Sequence, residues 1–394
     1  MITKLRILFV HEVNYLSKPI YEMHEFPEQL ALKGHEVAFW QFPEGYNLGE
    51  VRALGWKRQI PGRVVSGASL TLFTPPIAGS LLGRFVSALF ANYFARKAIE
   101  GFQPDLIVSF SVPTQGWQLL GAAKKLGVPV IFRALDVSHK IRRGIFSRLI
   151  YRAESFVYRN VDWVSANNPA MLEYCQSMGA HPSKSSVDWP PIDLRRFMQA
   201  NPALDLKSQL GIPENRRIVL YMGSFFYFSG LPEVIREFAK SAVDEHLVLI
   251  GGGEQDEELR ELVENLGVKE KVTFTGFIDF EDLPSYLKMA DVAINPMQPS
   301  LVANAAIPNK VIQYLASGLR VASTRLSGLE LTFGDSEMLQ LVNLPQDVAR
   351  RALEICRGSV NSVDAIDNVN LERFTLSESI AAFDQRCREV ASNA

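Results

Sequence analysis

The chain has 394 residues, more than one ordinary domain holds and enough for about two, each able to bury its own core. Apolar residues make up 47% and charged residues 21%, a balance that excludes the disordered and fibrous classes. The net charge of −2 hides an asymmetry: residues 1–200 carry 23 Lys plus Arg against 15 Asp plus Glu, and residues 201–394 carry 18 against 28, so the halves are expected to meet different partners.

The N-terminus, MITKLRILFVHEV, has a short apolar run ending at Val10 before His11 and Glu12. It is shorter than a signal peptide or a membrane span requires. Cys175, Cys356 and Cys387 are few and widely spaced, forming neither a disulfide framework nor a metal cluster. A cytoplasmic protein is expected.

Short apolar runs alternating with helical patterns predict parallel sheets with helical crossovers. In the first half the predicted strands are 6–10, 36–40, 106–109, 130–132 and 163–166. Gly34-His35 and Gly127-Val128-Pro129 stop the helices that precede two of them. The stretch SLLGRFVSALFANYFARKAIEGF, 80–102, sets Leu82, Phe85, Val86, Leu89, Phe90, Tyr93 and Phe94 at helical spacing; it reads as a core face rather than a membrane anchor. The run HKIRRGIFSRLIYRAESFVYR, 139–159, interleaves basic and apolar residues. Such a helix can lie on an anionic membrane, each charge contributing about 1 kcal/mol, or can serve as a crossover helix with its basic face in water. No nucleic-acid recognition module is present, so nucleic acid is not an expected partner.

Prolines and polar residues replace the periodic pattern after Trp189-Pro190-Pro191. The boundaries read as a first domain over 1–198, a linker over 199–213, a second domain over 214–371, and a C-terminal helix, about 372–394, that packs back on the first domain. Predicted strands of the second domain are 218–222, 247–250, 272–274, 292–295, 320–323 and 338–342. Both domains are therefore doubly wound α/β units.

Ligands of such sheets bind beyond the C-terminal strand ends. In the second domain that selects the loops from Gly223 to Gly230, Gly251 to Glu254, Gly276 to Ile278, and Pro296 to Lys310. The triple glycine 251–253 lets backbone approach a ligand, or simply serves a tight turn. Lys310 opens a helix, where a cation is disfavoured unless an anion is near. No Asp-x-Asp or closely spaced His and carboxylate cluster suits magnesium or manganese, so no metal or cofactor is expected.

The segments YMGSFFYFSGLPEVIREFAK (221–240), LVLIGGGEQDEELREL (247–262), VTFTGFIDFEDLPSYLKMADVAINP (272–296) and PNKVIQYLASGLRVAST (308–324), with the weaker RILFVHE, ALKGHEVAFW, PDLIVSFS and WPPIDLRRF, resemble retaining glycosyltransferase family 4 in order and spacing. The resemblance implies the GT-B fold, two facing Rossmann-like doubly wound parallel-sheet domains. It implies a nucleoside diphosphate sugar as donor, bound in the second domain by Gly223, Ser224, Ser229, Gly253, Glu254, Asn304, Pro308, Asn309, Lys310 and Gln313, with Gly276, Phe277 and Ile278 at the base. Phe277 either stacks on that base or packs in the core.

This chain departs from the family at four positions. Ala305 and Gln313 stand where two glutamates are usual, and Ser224 and Ser229 stand where Arg and Lys are usual; Arg325 is a candidate replacement charge, and Gln313 can still bond ribose hydroxyls. On the acceptor side the resemblance points to His11 and Asn14 after the first strand, and to Ser111 and Asp136 after later ones. Asp136 is alternatively a helix N-cap. Asp136, His11 and Lys310 are the catalytic candidates. The implied reaction retains anomeric configuration, with the leaving phosphate oxygen taking the acceptor's proton. The implied acceptor is a glycan, lipid-linked, in cell-surface polysaccharide assembly at the inner face of the plasma membrane. The altered positions leave open a catalytically degenerate partner subunit that binds nucleotide or glycan.

Overall fold

A computed structural model describes residues 4–110, 115–141, 147–201, 205–358 and 370–393. It divides into two compact units, one running to Ile192 and resuming at Phe374, the other Asp193–Arg373.

In the first unit, strands β1 (Arg6–Val10), β2 (Glu36–Trp40), β3 (Lys57–Pro61), β4 (Ser69–Phe73), β5 (Leu106–Ser109), β6 (Val130–Ala134), β7 (Trp163–Ala166) and β8 (Ser185–Val187) form one sheet. Its order is β3-β4-β2-β1-β5-β6-β7-β8, and only β3 with β4 is antiparallel. The connecting helices are α1 (Glu22–Leu32), α2 (Leu48–Leu54), α3 (Leu81–Leu89), α4 (Ala91–Phe102), α5 (Gly116–Leu126), α6 (Ser138–Ile141), α7 (Ser147–Asn160) and α8 (Pro169–Ser177). Central strands such as β1 and β5 are apolar because helices cover both faces. The edge strand β3 buries only Ile60, so it leaves no apolar run in the sequence.

Two helices of this unit turn apolar groups outward. On α3, Leu81, Leu82, Phe85 and Leu89 are exposed, followed by Phe90 and Tyr93; this corrects the core reading of 80–102, for which Phe94 is buried and Val86 half-buried. On α7, Ile150 and Val157 are buried while Arg148, Leu149, Tyr151, Arg152, Phe156 and Arg159 are exposed. Arg142 and Arg143 lie outside the described residues.

In the second unit, strands β9 (Arg217–Met222), β10 (Glu245–Ile250), β11 (Val272–Gly276), β12 (Val292–Asn295), β13 (Arg320–Thr324) and β14 (Leu339–Val342) form an all-parallel sheet ordered β11-β10-β9-β12-β13-β14. The helices are α9 (Leu194–Met198), α10 (Leu206–Gln209), α11 (Leu231–Ser241), α12 (Asp256–Asn265), α13 (Leu283–Met289), α14 (Leu301–Ala305), α15 (Asn309–Ala316), α16 (Ser327–Phe333) and α17 (Pro345–Arg357). Val219, Tyr221, Leu247, Leu249, Val292 and Ile294 meet Leu231, Ile235, Val348 and Leu353 in its core. The sequence-based boundary at 198 moves to Ile192, because α9 packs on α15 and Phe197 meets Phe280 at 6.1 Å between ring centres. The expected linker 199–213 contains α10.

The last helix, α18 (Leu376–Ser392), packs on α1 in the first unit. Phe383 lies 4.3 Å from Phe26 between ring centres, and Asp384 Oδ1 lies 3.0 Å from His35 Nε2. Ile192 N donates to Phe374 O at 2.8 Å, so the chain leaves and re-enters this unit at one place.

Candidate active site

In the second sheet the chain steps from β9 through β10 to β11 on one side and from β12 through β13 to β14 on the other. A reversal of this kind opens a crevice at the C-terminal strand ends, here between the loops after β9 and β12. Four loops meet around it. Gly223 N donates to Ile250 O at 2.9 Å, Gly251 N to Gly276 O at 2.9 Å, and Phe225 N to Gly252 O at 3.0 Å.

The glycines permit this lacing. A Cβ on Gly251, at φ +119°, would stand 2.2 Å from Gly223 O, and one on Gly253, at φ +158°, would stand 2.8 Å from Phe225 N. Gly251 and Gly253 are thus required by backbone against backbone. Phe277 is 80% exposed, which rules out its core reading; its ring leans on Gly252, where a Cβ would lie 3.1 Å from Cε2. Glu254 is exposed beside the same turn, and Ile278 is half-buried.

Lys310 stands on the first turn of α15, and its Nζ lies 3.2 Å from Tyr221 Oη and 4.2 Å from the Tyr221 ring centre. Gly223 makes room for it, since a Cβ there would be 3.3 Å from Nζ. Burial pulls this ammonium down to about 7, and no carboxylate pairs with it among the described residues. A desolvated cation without a counterion among the described residues, at the positive end of a helix, suits an anion. Pro308 is the N-cap residue of α15 and Asn309 is exposed beside it. Asn304 and Gln313 are half-buried, and their side-chain amides bond no protein group among the described residues.

Two sequence candidates, Ser229 and Arg325, are committed to partners within the protein. Ser229 is buried, with its N–H on Phe226 O at 2.8 Å and its hydroxyl 3.5 Å from Leu231 N, at the turn into α11. Arg325 is held by Glu330 at 2.5 Å and Asp335 at 3.3 Å, so its charge is already matched. Ser224 is exposed, and its carbonyl accepts the Tyr221 hydroxyl at 3.0 Å. Ala305 is buried.

In the first unit the chain order reverses between β1 and β5. His11 follows β1 and stacks on Phe110, ring centres 5.3 Å apart. Its Nδ1 accepts from Glu12 N at 2.8 Å, which leaves the proton on Nε2, 3.1 Å from Tyr21 Oη. Burial, and then the nearby Lys18 charge, lower its pKa to about 3. Both ring nitrogens are engaged and the ring is neutral, so His11 holds the Tyr21 hydroxyl in place. Asn14 is fully buried, donating to Glu44 O at 3.1 Å and accepting from Leu16 N at 3.0 Å. It is an Asx turn rather than an acceptor contact. Ser111 lies outside the described residues.

Asp136 follows β6. Crowding by surrounding protein, and then the Glu22 charge, raise its carboxyl above the usual range even though the residue reaches solvent. The N-cap reading fails, because the first N–H groups of α6 go to another carboxylate: Ser138 N and His139 N lie 3.3 and 3.2 Å from Glu154. Glu154 also accepts from His139 Nδ1 at 2.9 Å and Tyr174 Oη at 2.9 Å. Asp136 is therefore spared for other use.

Beneath it, Arg133 is fully buried and pairs with Glu22 through two bonds of 2.8 and 2.7 Å. It also reaches Ser165 Oγ, Ala166 O and Asp188 O, tying α1 to the ends of β6, β7 and β8. Tyr21, Glu22 and Glu154 escape sequence reasoning. Arg133 carries a visible signal, a charge inside the apolar run VIFRA, since buried charges require partners.

Two family profiles match the chain: that described as Glycosyltransferase Family 4 over residues 23–196 and that described as Glycosyl transferases group 1 over residues 204–361. A candidate glycosyl transferase of colanic acid biosynthesis from Escherichia coli (strain K12), WcaI, is 27% identical over 358 residues, which span 82% of this chain and 84% of that protein. Among solved structures, sucrose-phosphate synthase from Thermosynechococcus elongatus superposes with a TM-score of 0.77 at 17% identity, over 99% of this chain and 100% of that one. Anabaena HepE, solved with UDP and glucose, superposes with a TM-score of 0.73 at 17% identity over the same shares. With both profiles in sequence order and two doubly wound units beneath them, the chain belongs to the family 4 type of glycosyltransferase and has the GT-B fold.

Proposed function

We propose that the protein moves a sugar from a nucleoside diphosphate donor, with retention of anomeric configuration, to a lipid-linked glycan in cell-surface polysaccharide assembly. The observation that carries this reading is Lys310, a desolvated cation without a counterion at the switch point of the second sheet. In this reading the diphosphate lies across the start of α15, Gln313 bonds the ribose, Asn304 reaches the sugar, and Phe277 covers the base. The bond from the anomeric carbon to the phosphate oxygen breaks as the acceptor oxygen bonds to that carbon on the same face. The departing phosphate oxygen takes the acceptor's proton, so the protein's part is positioning and charge stabilisation, without metal or cofactor. Asp136 orients the acceptor. The similarity to WcaI supports polysaccharide as the product class. The basic helix α7 gives the protein its contact with the inner membrane face, where a lipid-linked acceptor resides.

A second reading, a nucleotide-binding partner subunit without turnover, is favoured by Ala305, Gln313, Ser224 and Ser229, which leave four usual charges absent. Thermal shifts with UDP, GDP, dTDP, ADP and CMP, followed by labelled donors of the binding base with membrane extract, separate the two. Donor-dependent labelled glycan is expected. Binding of one nucleotide without turnover of any of its sugars would establish the second reading, and no nucleotide binding would sink both.

A further inference from the structure

Helix α3 holds its large apolar side chains away from the protein. Its inward face is made of small groups, Gly83 and Ser87, both buried. Three attachments fix this orientation. A Cβ on Gly83 would lie 1.8 Å from Ala78 O, so the helix backbone itself abuts the preceding loop. Ser87 Oγ accepts from Gln115 Nε2 at 2.7 Å. Arg84 bonds Glu44 at 2.6 Å and Glu12 O at 3.2 Å, and lies 4.6 Å from the Phe42 ring centre.

With that face committed, Leu81, Leu82, Phe85 and Leu89 are 80%, 74%, 61% and 81% exposed. At about 100° per residue they fall within an arc of roughly 100°, opposite Gly83 and Ser87. Gln118 Nε2 donates to Ala88 O at 3.2 Å, which brings the start of α5, with exposed Trp117, to the end of this stripe. Folded chains seldom leave such a contiguous apolar face to water unless something covers it.

The surroundings identify the cover. Helix α4 packs on α5, and α5 on α7, in one layer. Their exposed charges are Lys97, Lys124, Lys125, Arg148, Arg152 and Arg159, opposed among the described residues of these helices by exposed Glu100 alone. An apolar stripe flanked by a basic field complements an anionic lipid surface, with apolar groups entering the acyl boundary and cations at the headgroups.

We infer that α3 is the membrane-inserting element of this protein and that anionic lipid is what covers its outer face. This rests on the membrane contact proposed above and divides the labour within it: α3 inserts, and α7 supplies attraction.

The test is co-sedimentation of the full chain with vesicles of phosphatidylcholine alone and of phosphatidylcholine mixed with phosphatidylglycerol. The expected result is binding to the mixed vesicles, reduced roughly tenfold or more by the double variant L82E/F85E while its melting temperature and nucleotide-induced shift stay unchanged. Arg148→Glu with Arg152→Glu should weaken binding and make the remainder less sensitive to salt. Full binding by L82E/F85E alongside loss in the arginine variant would overturn insertion by α3 and leave the contact through α7 standing. No vesicle binding by the unaltered chain would overturn both. A dimer that L82E/F85E converts to monomer, without vesicle binding, would show that a second copy covers the face instead.

Discussion

The Lys310 ammonium and the Tyr221 phenol form a neutral-supported cation: Nζ lies 3.2 Å from Oη, above the ring at 4.2 Å from its centre, while the hydroxyl donates to Ser224 O at 3.0 Å. The hydroxyl and ring direct the ammonium without cancelling its charge. In the proposed function the donor diphosphate is its partner.

Nucleotide affinity should therefore depend on pH. In the free protein Lys310 loses its proton near pH 7; a bound diphosphate favours the charged form and raises that pKa. Binding above pH 7 then takes up a proton, and affinity falls as pH rises through 7, by up to about tenfold per unit. Calorimetry in buffers of different ionisation enthalpy should show the uptake. Lys310→Met should remove the pH dependence and weaken binding by about 10- to 100-fold, the loss of one charge-assisted contact.

Gly251→Ala should disrupt the donor site through the backbone. Its Cβ has no room beside Gly223 O, and its φ of +119° is strained for alanine. A loss of about 2 kcal/mol or more in stability is expected. Gly252→Ala meets only the movable Phe277 ring and should keep the melting temperature while altering nucleotide affinity. Equal effects of the two on denaturant melts would contradict the backbone account.

Asp136→Asn and Glu154→Gln should separate chemistry from scaffold. Asp136 supports no helix, so its amide variant should fold normally and lose turnover. Glu154 is buried and receives four donors from Ser138, His139 and Tyr174, so Glu154→Gln should cost about 1–3 kcal/mol of stability. Thermal melts beside initial rates would show whether the effects divide this way.

The seat of α18 should weaken in acid. His35 sits against Asp384 and Arg388, and burial outweighs the Asp384 charge, so its pKa is lowered. The unfolded chain then binds the proton more readily than the folded one, and stability present above about 6.5 falls as pH drops below it. His35→Gln should flatten that limb in hydrogen exchange of α18 amides.

Much of the fold was legible in the chain itself. The central strands are apolar runs punctuated by Gly and Pro, because a parallel sheet covered on both faces admits little else. The loops at the strand ends, and Lys310 within them, follow from the same pattern. The predicted strands lack β3, β4 and β8: β3 and β8 lie at the sheet edges and bury too little to leave an apolar signature, whereas β4 lies inside the sheet and buries Leu70 to Phe73, so its short run SLTLF carries a signal that the prediction omits.

The sequence alone determined two doubly wound units, their motif order and Lys310 as the candidate phosphate contact, since these depend on local pattern and spacing. Only tertiary structure decided which side chains remain available. Asn14, Ser229 and Arg325 are consumed by turns and ion pairs, Asp136 is released because Glu154 caps α6 from another helix, and α3 faces outward because Gly83 and Ser87 are the groups small enough to pack. Each outcome depends on a partner distant in sequence, which no local pattern encodes.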